Sequence, residues 1–200
     1  MSESLDEIVE EILSCKKCHL WETNTNYVPG EGNPHSEVFF VGEAPGKEED
    51  LQGRPFVGAA GKLLTQMIET VLNLRRKDVY IANILKCRPP DNRDPQPEEV
   101  EACSPYLVRQ INAINPKVLV CMGKYAANFV FDMYGIDFPG ISRVKGQLKE
   151  VNGMKIIAIY HPAAILYRPQ LRESYEKDFG KIATLIKGNK RSSSTLMDFL

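Results

Sequence analysis

Apolar positions along this chain alternate between two rhythms, the three-to-four-residue step of a helix face and short continuous runs of strand length. Over residues 3–13, Leu5, Ile8, Val9, Ile12 and Leu13 share one face and predict an amphipathic helix that runs into Cys15-Lys16-Lys17-Cys18. Residues 22–36 are polar, contain Gly30, Gly32 and Pro34, and read as loop. A compact apolar run predicts a strand at 37–41, cut off by Gly42-Glu43-Ala44-Pro45-Gly46. Helical spacing returns over 61–74 through Leu63, Leu64, Met67, Ile68, Val71 and Leu72. A strand is expected at 79–85, then irregular chain where Pro89, Pro90, Pro95 and Pro97 crowd together. Pro97 suits the first position of a helix over 97–113, with Glu98 and Glu99 near its positive end. A strand at 117–122, a helix at 124–134, a hairpin of 147–151 with 155–159 about Asn152-Gly153, and a helix at 173–186 follow. Residues 187–200 read as a polar tail with an apolar end.

Strands alternating with helices imply a three-layer α/β domain with a mainly parallel sheet. In such sheets ligands lie beyond the carboxyl ends of the strands, so 42–46, 86–87, 123 and 161–164 are where chemistry belongs. Two hundred residues, 43% apolar and 26% charged, suit one globular domain. No apolar run is long enough to span a bilayer and the first twelve residues are acidic, so neither a membrane span nor a secretory signal is expected, and a cytoplasmic setting is.

The net charge of −1 conceals an asymmetry: residues 1–60 hold 4 Lys/Arg against 12 Asp/Glu. Within 138–172, Arg143, Lys145, Lys149, Lys155, Arg168 and Arg172 face a single acid, Glu150. Such a run is either a solvated face or a surface for phosphates.

Five cysteines in a reducing compartment favour metal over disulfides. Cys15 and Cys18 form a C-x2-C pair, and Cys87 and Cys103 border the proline-rich loop; four sulfurs suit Zn or a [4Fe–4S] cluster. Cys121, within a strand, reads as a small buried hydrophobe. Asn83 inside an apolar strand must find partners, either in a neighbouring loop or on the edge of a base. Phe56, in the glycine-flanked Arg54-Pro55-Phe56-Val57-Gly58, is either core or a stacking platform. His161, just after a strand, is either structural or catalytic.

Taken together, Val41-Gly42-Glu43-Ala44-Pro45-Gly46 with Glu48-Glu49-Asp50, then Gly53-Arg54-Pro55-Phe56-Val57-Gly58, Asn83-Ile84-Leu85-Lys86-Cys87-Arg88-Pro89-Pro90 and His161-Pro162-Ala163 resemble the uracil-DNA glycosylase superfamily, specifically its iron–sulfur family 4. The resemblance runs from Cys15 to about Arg172. It implies a three-layer α/β/α single domain with a central, mainly parallel four-stranded sheet, expected over 1–187, and the polar composition beyond it leads us to expect a separate flexible tail over 188–200. It also implies a [4Fe–4S] cluster on Cys15, Cys18, Cys87 and Cys103, and hydrolysis of the bond between uracil and deoxyribose in single- or double-stranded DNA by a monomer. Within the resemblance, Phe56 stacks on a flipped-out uracil, Asn83 bonds its O4 and N3–H edge, and backbone at Gly42, Glu43 and Ala44 lines the remaining side. His161 stabilises the negative charge that grows at O2. The best-known members carry an aspartate where this chain has Ala44 and a tyrosine where it has Gly46. Glu43 is therefore expected to handle the attacking water, with Glu49 behind it and facing a thymine methyl.

Residues 163–172 resemble the loop that wedges into the minor groove, with Leu166 or Tyr167 as the wedge and Arg168 and Arg172 on phosphates. Leu196, Phe199 and Leu200 have the spacing of sliding-clamp-binding peptides, with Ser193 where those usually carry Gln. Two other readings compete: a non-catalytic iron–sulfur module that binds nucleic acid, and an α/β nucleotide-cofactor protein with structural Zn.

Overall fold

The computed structural model describes residues 3–194, with side chains through residue 187. In chain order the main elements are α1 (Leu5–Leu13), β1 (Glu31–Gly32), β2 (Val38–Gly42), α2 (Lys47–Gln52), α3 (Ala59–Thr70), β3 (Tyr80–Asn83) and α4 (Pro97–Ile114). Then come β4 (Val118–Met122), α5 (Gly123–Met133), α6 (Ile141–Val144), β5 (Leu148–Val151), β6 (Met154–Ile159), α7 (Pro162–Tyr167) and α8 (Arg172–Ser194).

The sheet has the order β1-β3-β2-β4-β6-β5. Its four inner strands, β3-β2-β4-β6, are parallel. β2 and β4 are buried along their whole length, which is why they read as continuous apolar runs rather than alternating ones. Their side chains still alternate between two layers. Phe39 and Val41 pack with Ile8 and Ile12 of α1, Tyr106 and Leu107 of α4 and Ala126 of α5. Val38 and Phe40 pack on the other face with Leu64 and Ile68 of α3 and Tyr175 and Phe179 of α8.

The expected four-stranded sheet becomes six-stranded through its antiparallel edges. β1 pairs Glu31 with Ile81 inside the stretch read as loop, and two residues are too few to show any periodicity. β5 closes the other edge as the first arm of the expected hairpin. α2 falls where no helix was expected. It is polar and short, and the buried Asp50 at its heart accepts hydrogen bonds from the Thr25 and Asn26 amides at 2.9 and 3.4 Å, while Gly53 ends it in a left-handed conformation. The segment expected to wedge into DNA, 163–172, is helical through Tyr167 in α7 and then a short turn rather than open loop. The last helix continues to Ser194 instead of stopping at 186, because polar Lys- and Arg-containing sequence sustains a helix without an apolar stripe to announce it. Leu196, Phe199 and Leu200 lie outside the described residues. Among those residues no helix is long and apolar enough to cross a membrane.

Candidate functional site

The carboxyl ends of β2, β3 and β6 open into a cavity of about 400 Å³ whose walls include Glu43, Ala44, Glu49, Phe56, Asn83 and His161. Segments far apart in sequence thus meet where the strand order reverses around β2, the expected position for a ligand. Gly42, expected on the wall, is not among the lining residues; it lies behind Asn83 and Phe56. A Cβ there would collide with Asn83 Oδ1 and come within 2.6 Å of the Phe56 ring, so only glycine lets these two groups face one space. Phe56 holds a left-handed backbone (φ 51°), and the helix α3 comes so close behind it that a Cβ on Gly61 would strike its carbonyl. Its ring lies 5.5 Å from that of His161, tilted by 38°.

Asn83 ends β3 and is 1% exposed. Its Oδ1 is buried with no hydrogen-bond partner among the described residues. Such an orphaned acceptor is costly unless a ligand completes it. His161 caps α7, with Nδ1 accepting from the Ala163 amide at 3.2 Å. Burial pushes its imidazolium down to about 4, with Glu49 pulling the other way. The ring is therefore neutral, and with Nδ1 occupied as acceptor its proton sits on Nε2.

The two nearby acids play different parts. Glu49 Oε1 accepts from the amides of Val57 and Gly58, both at 2.9 Å, and so fastens the Phe56 loop just before α3. Glu43 is pushed up to about 7, chiefly by burial and further by Asp94, against the pull of Lys124. A carboxyl titrating near neutrality inside a cavity is suited to proton transfer. Pro89, which ends the third motif, and Asn92 and Arg93, which sequence reasoning did not single out, complete the wall from the proline-rich loop. Arg93 is tied down by Glu99, fully buried at the start of α4 and 2.5 Å away. The available signal was their place directly after Cys87-Arg88.

The four cysteines of the predicted set also meet. Cys15 and Cys18 after α1, Cys87 after β3 and Cys103 in α4 line one small cavity together with Tyr27, Lys86 and Tyr106. Two sulfurs receive N–H donors: Asn24 Nδ2 to Cys87 at 3.5 Å and the Lys86 amide to Cys103 at 3.3 Å. Tyr27 donates its hydroxyl to the Cys15 carbonyl at 2.7 Å, bracing the C-x2-C turn. Burial raises the Cys18 and Cys87 thiols, and pushes Cys103 up to about 11. Among the described residues no group of three or more His, Cys, Asp or Glu forms a ready site for a single ion. Cys121, fully buried in β4, packs as the small hydrophobe expected.

At the mouth of the first cavity, Leu166 and Tyr167 project from α7, 47% and 86% exposed, and Tyr167 reaches its rim. Arg168 lines an adjoining groove with Lys124 and His161, whereas Arg172 pairs with Glu176 at 2.9 Å on the surface of α8.

The model of the uracil DNA glycosylase superfamily matches residues 29–183. A type-4 uracil-DNA glycosylase of Archaeoglobus fulgidus is 62% identical over 99% of this chain and its own entire length. Those of Sulfurisphaera tokodaii and Thermotoga maritima are 53% and 44% identical, covering 94% and 92% of this chain and 88% and 96% of their own.

Proposed function

Since this chain belongs to the uracil DNA glycosylase superfamily, we propose that it is a monofunctional uracil-DNA glycosylase, releasing free uracil from DNA and leaving an abasic site for base excision repair. The observation that carries the reading is the orphaned Asn83 Oδ1 beside the Phe56 ring. A base inside a duplex is unreachable, so uracil must be flipped into the cavity, where Phe56 stacks on its face. Asn83 Oδ1 accepts N3–H while Nδ2 donates to O4. Cytosine exchanges donor and acceptor at both positions and leaves two buried groups unpaired.

As the bond to C1′ breaks, its electron pair goes to N1 and charge spreads to O2, where the His161 Nε2–H donates. The Glu43 carboxylate holds a water against C1′ and accepts its proton as the C–O bond forms. Leu166 or Tyr167 fills the vacated stack, and Arg168 and Arg172 hold phosphates.

The cysteine set fits a [4Fe–4S] cluster by the chemistry of its donors: four sulfurs on one buried cavity, two of them already receiving N–H bonds. When bound, such a group supplies cross-links rather than electrons to the reaction. Through its ligands Cys15 and Cys18 hold the N-terminal segment, Cys87 the loop after β3, and Cys103 helix α4. The reading also takes the chain as a monomer acting inside the cell, with the tail around Leu196, Phe199 and Leu200 offered to a sliding clamp.

The test is product release from oligonucleotides carrying U·G, U·A, T·G or single-stranded uracil. Free uracil from the uracil substrates and nothing from T·G is expected, and no release from any of them ends the glycosylase reading. Glu43 sets the pH dependence. A carboxylate raised to about 7 is lost by protonation as pH falls through that value. The single-turnover rate is therefore expected to drop about tenfold per pH unit below about 6 and level off above about 8. Glu43→Gln should be slow and flat across the same range; an unchanged acid limb in that variant would assign it to another group.

A further inference from the structure

Lys86 is the residue between the two sites. It follows the strand that ends at Asn83 and precedes Cys87, and its side chain is 1% exposed. Its Nζ donates to the Asn83 carbonyl at 2.7 Å and to Gln110 Oε1 at 2.8 Å. Gln110 is itself held by the Pro29 carbonyl at 2.9 Å. On its other side Lys86 lines the cysteine cavity, and its amide donates to Cys103 Sγ at 3.3 Å. Both acceptors on Nζ are neutral, and among the described residues no carboxylate pairs with it. Burying an ammonium without a counter-charge is unfavourable, and an anion close by offsets that cost. Four thiolates outweigh the positive charge of an iron–sulfur core, which makes the loaded cysteine centre that anion.

We propose that Lys86 is a positioning residue that joins the cysteine centre to the uracil pocket: its charge balances the four sulfurs when they hold a cluster, and its bond to the Asn83 carbonyl holds the end of β3 from which the Asn83 amide meets uracil. This rests on the glycosylase reading above. It gives the cluster a consequence for base recognition, although the reaction itself moves no electron through it. Coupling of this kind acts in both directions, so a base on Asn83 also steadies the chain around Cys87.

The experiment compares Lys86→Met, which keeps the length and removes the charge and donors, with the wild-type holoprotein purified anaerobically. Removing a nearby cation disfavours adding an electron, so the variant's cluster is expected to reduce at a more negative potential. Inhibition of the glycosylase by free uracil is expected to weaken about tenfold, the loss of one charge-assisted hydrogen bond's worth of positioning. In the wild type, saturating free uracil should slow oxidative bleaching of the visible absorbance several-fold, a measurement that stands even if Lys86→Met does not fold. An unchanged potential and unchanged uracil inhibition in the variant, bleaching indifferent to uracil in the wild type, or a colourless holoprotein each overturn the proposal. Absence of uracil release from oligonucleotides by the wild type would instead remove the glycosylase reading, while the potential of Lys86→Met still reports on the charge.

Discussion

Asn83→Ala is expected to lower uracil release at least about a hundredfold, a loss of about 3 kcal/mol, while binding to undamaged DNA persists. The physical ground is the buried, unpartnered Oδ1 at the end of β3. It has no alternative acceptor role in the fold, so its removal costs little stability and much recognition. Asn83→Asp is the sharper variant. A carboxyl at a site only 1% exposed is driven to its neutral form, whose O–H donates to cytosine N3 and whose C=O accepts from cytosine N4. Low but measurable release of cytosine is expected where the wild type shows none. Full activity of Asn83→Ala on uracil would mean that the base is read elsewhere.

His161→Ala is expected to reduce the single-turnover rate about a hundredfold with little change in the affinity for uracil-containing DNA. A donor aimed at charge that exists only as the bond breaks contributes to the transition state rather than to binding. His161→Gln, which keeps an N–H in the pocket, should recover part of the loss. Because burial holds the imidazolium down at about 4 and Nδ1 is already occupied, the ring donates as a neutral group throughout the working range. His161→Ala should therefore keep the acid limb near pH 7 that Glu43 provides. A variant that lost this limb would show that the histidine, not Glu43, titrates there.

The roles of the two acids were the least legible part of the sequence. Glu43 and Glu49 lie six residues apart, and both belong to the same motif. Only the fold separates them, turning Glu49 back onto the Val57 and Gly58 amides and leaving Glu43 desolvated beside Asp94. Lys86 was similarly opaque. An isolated lysine ordinarily faces solvent, and nothing in Leu85-Lys86-Cys87 tells that this one is folded inward onto the Asn83 carbonyl and Gln110. The edge strand β1 and the helix α2 escaped notice because each is too short to show a period, and tertiary contacts alone sustain them.

Much of the molecule was nonetheless written in its local pattern. The inner strands are buried on both faces and therefore had to be continuous apolar runs. The helices covering them had to carry a 3.6-residue stripe, and Asn152-Gly153 had to turn a hairpin. Two of the motifs declared their own positions, since Gly42-Glu43-Ala44-Pro45-Gly46 and His161-Pro162-Ala163 each follow an apolar run. What local pattern leaves open is distance between segments remote along the chain. The tertiary structure alone brings Glu43, Phe56, Asn83 and His161 to one cavity and Cys15, Cys18, Cys87 and Cys103 to another, with Lys86 between them. How far the Glu43 carboxyl is pushed up, which ring nitrogen keeps its proton and which polar atom is left waiting for a ligand are set by burial and by neighbours, and those come into being when the sheet closes its two layers around them.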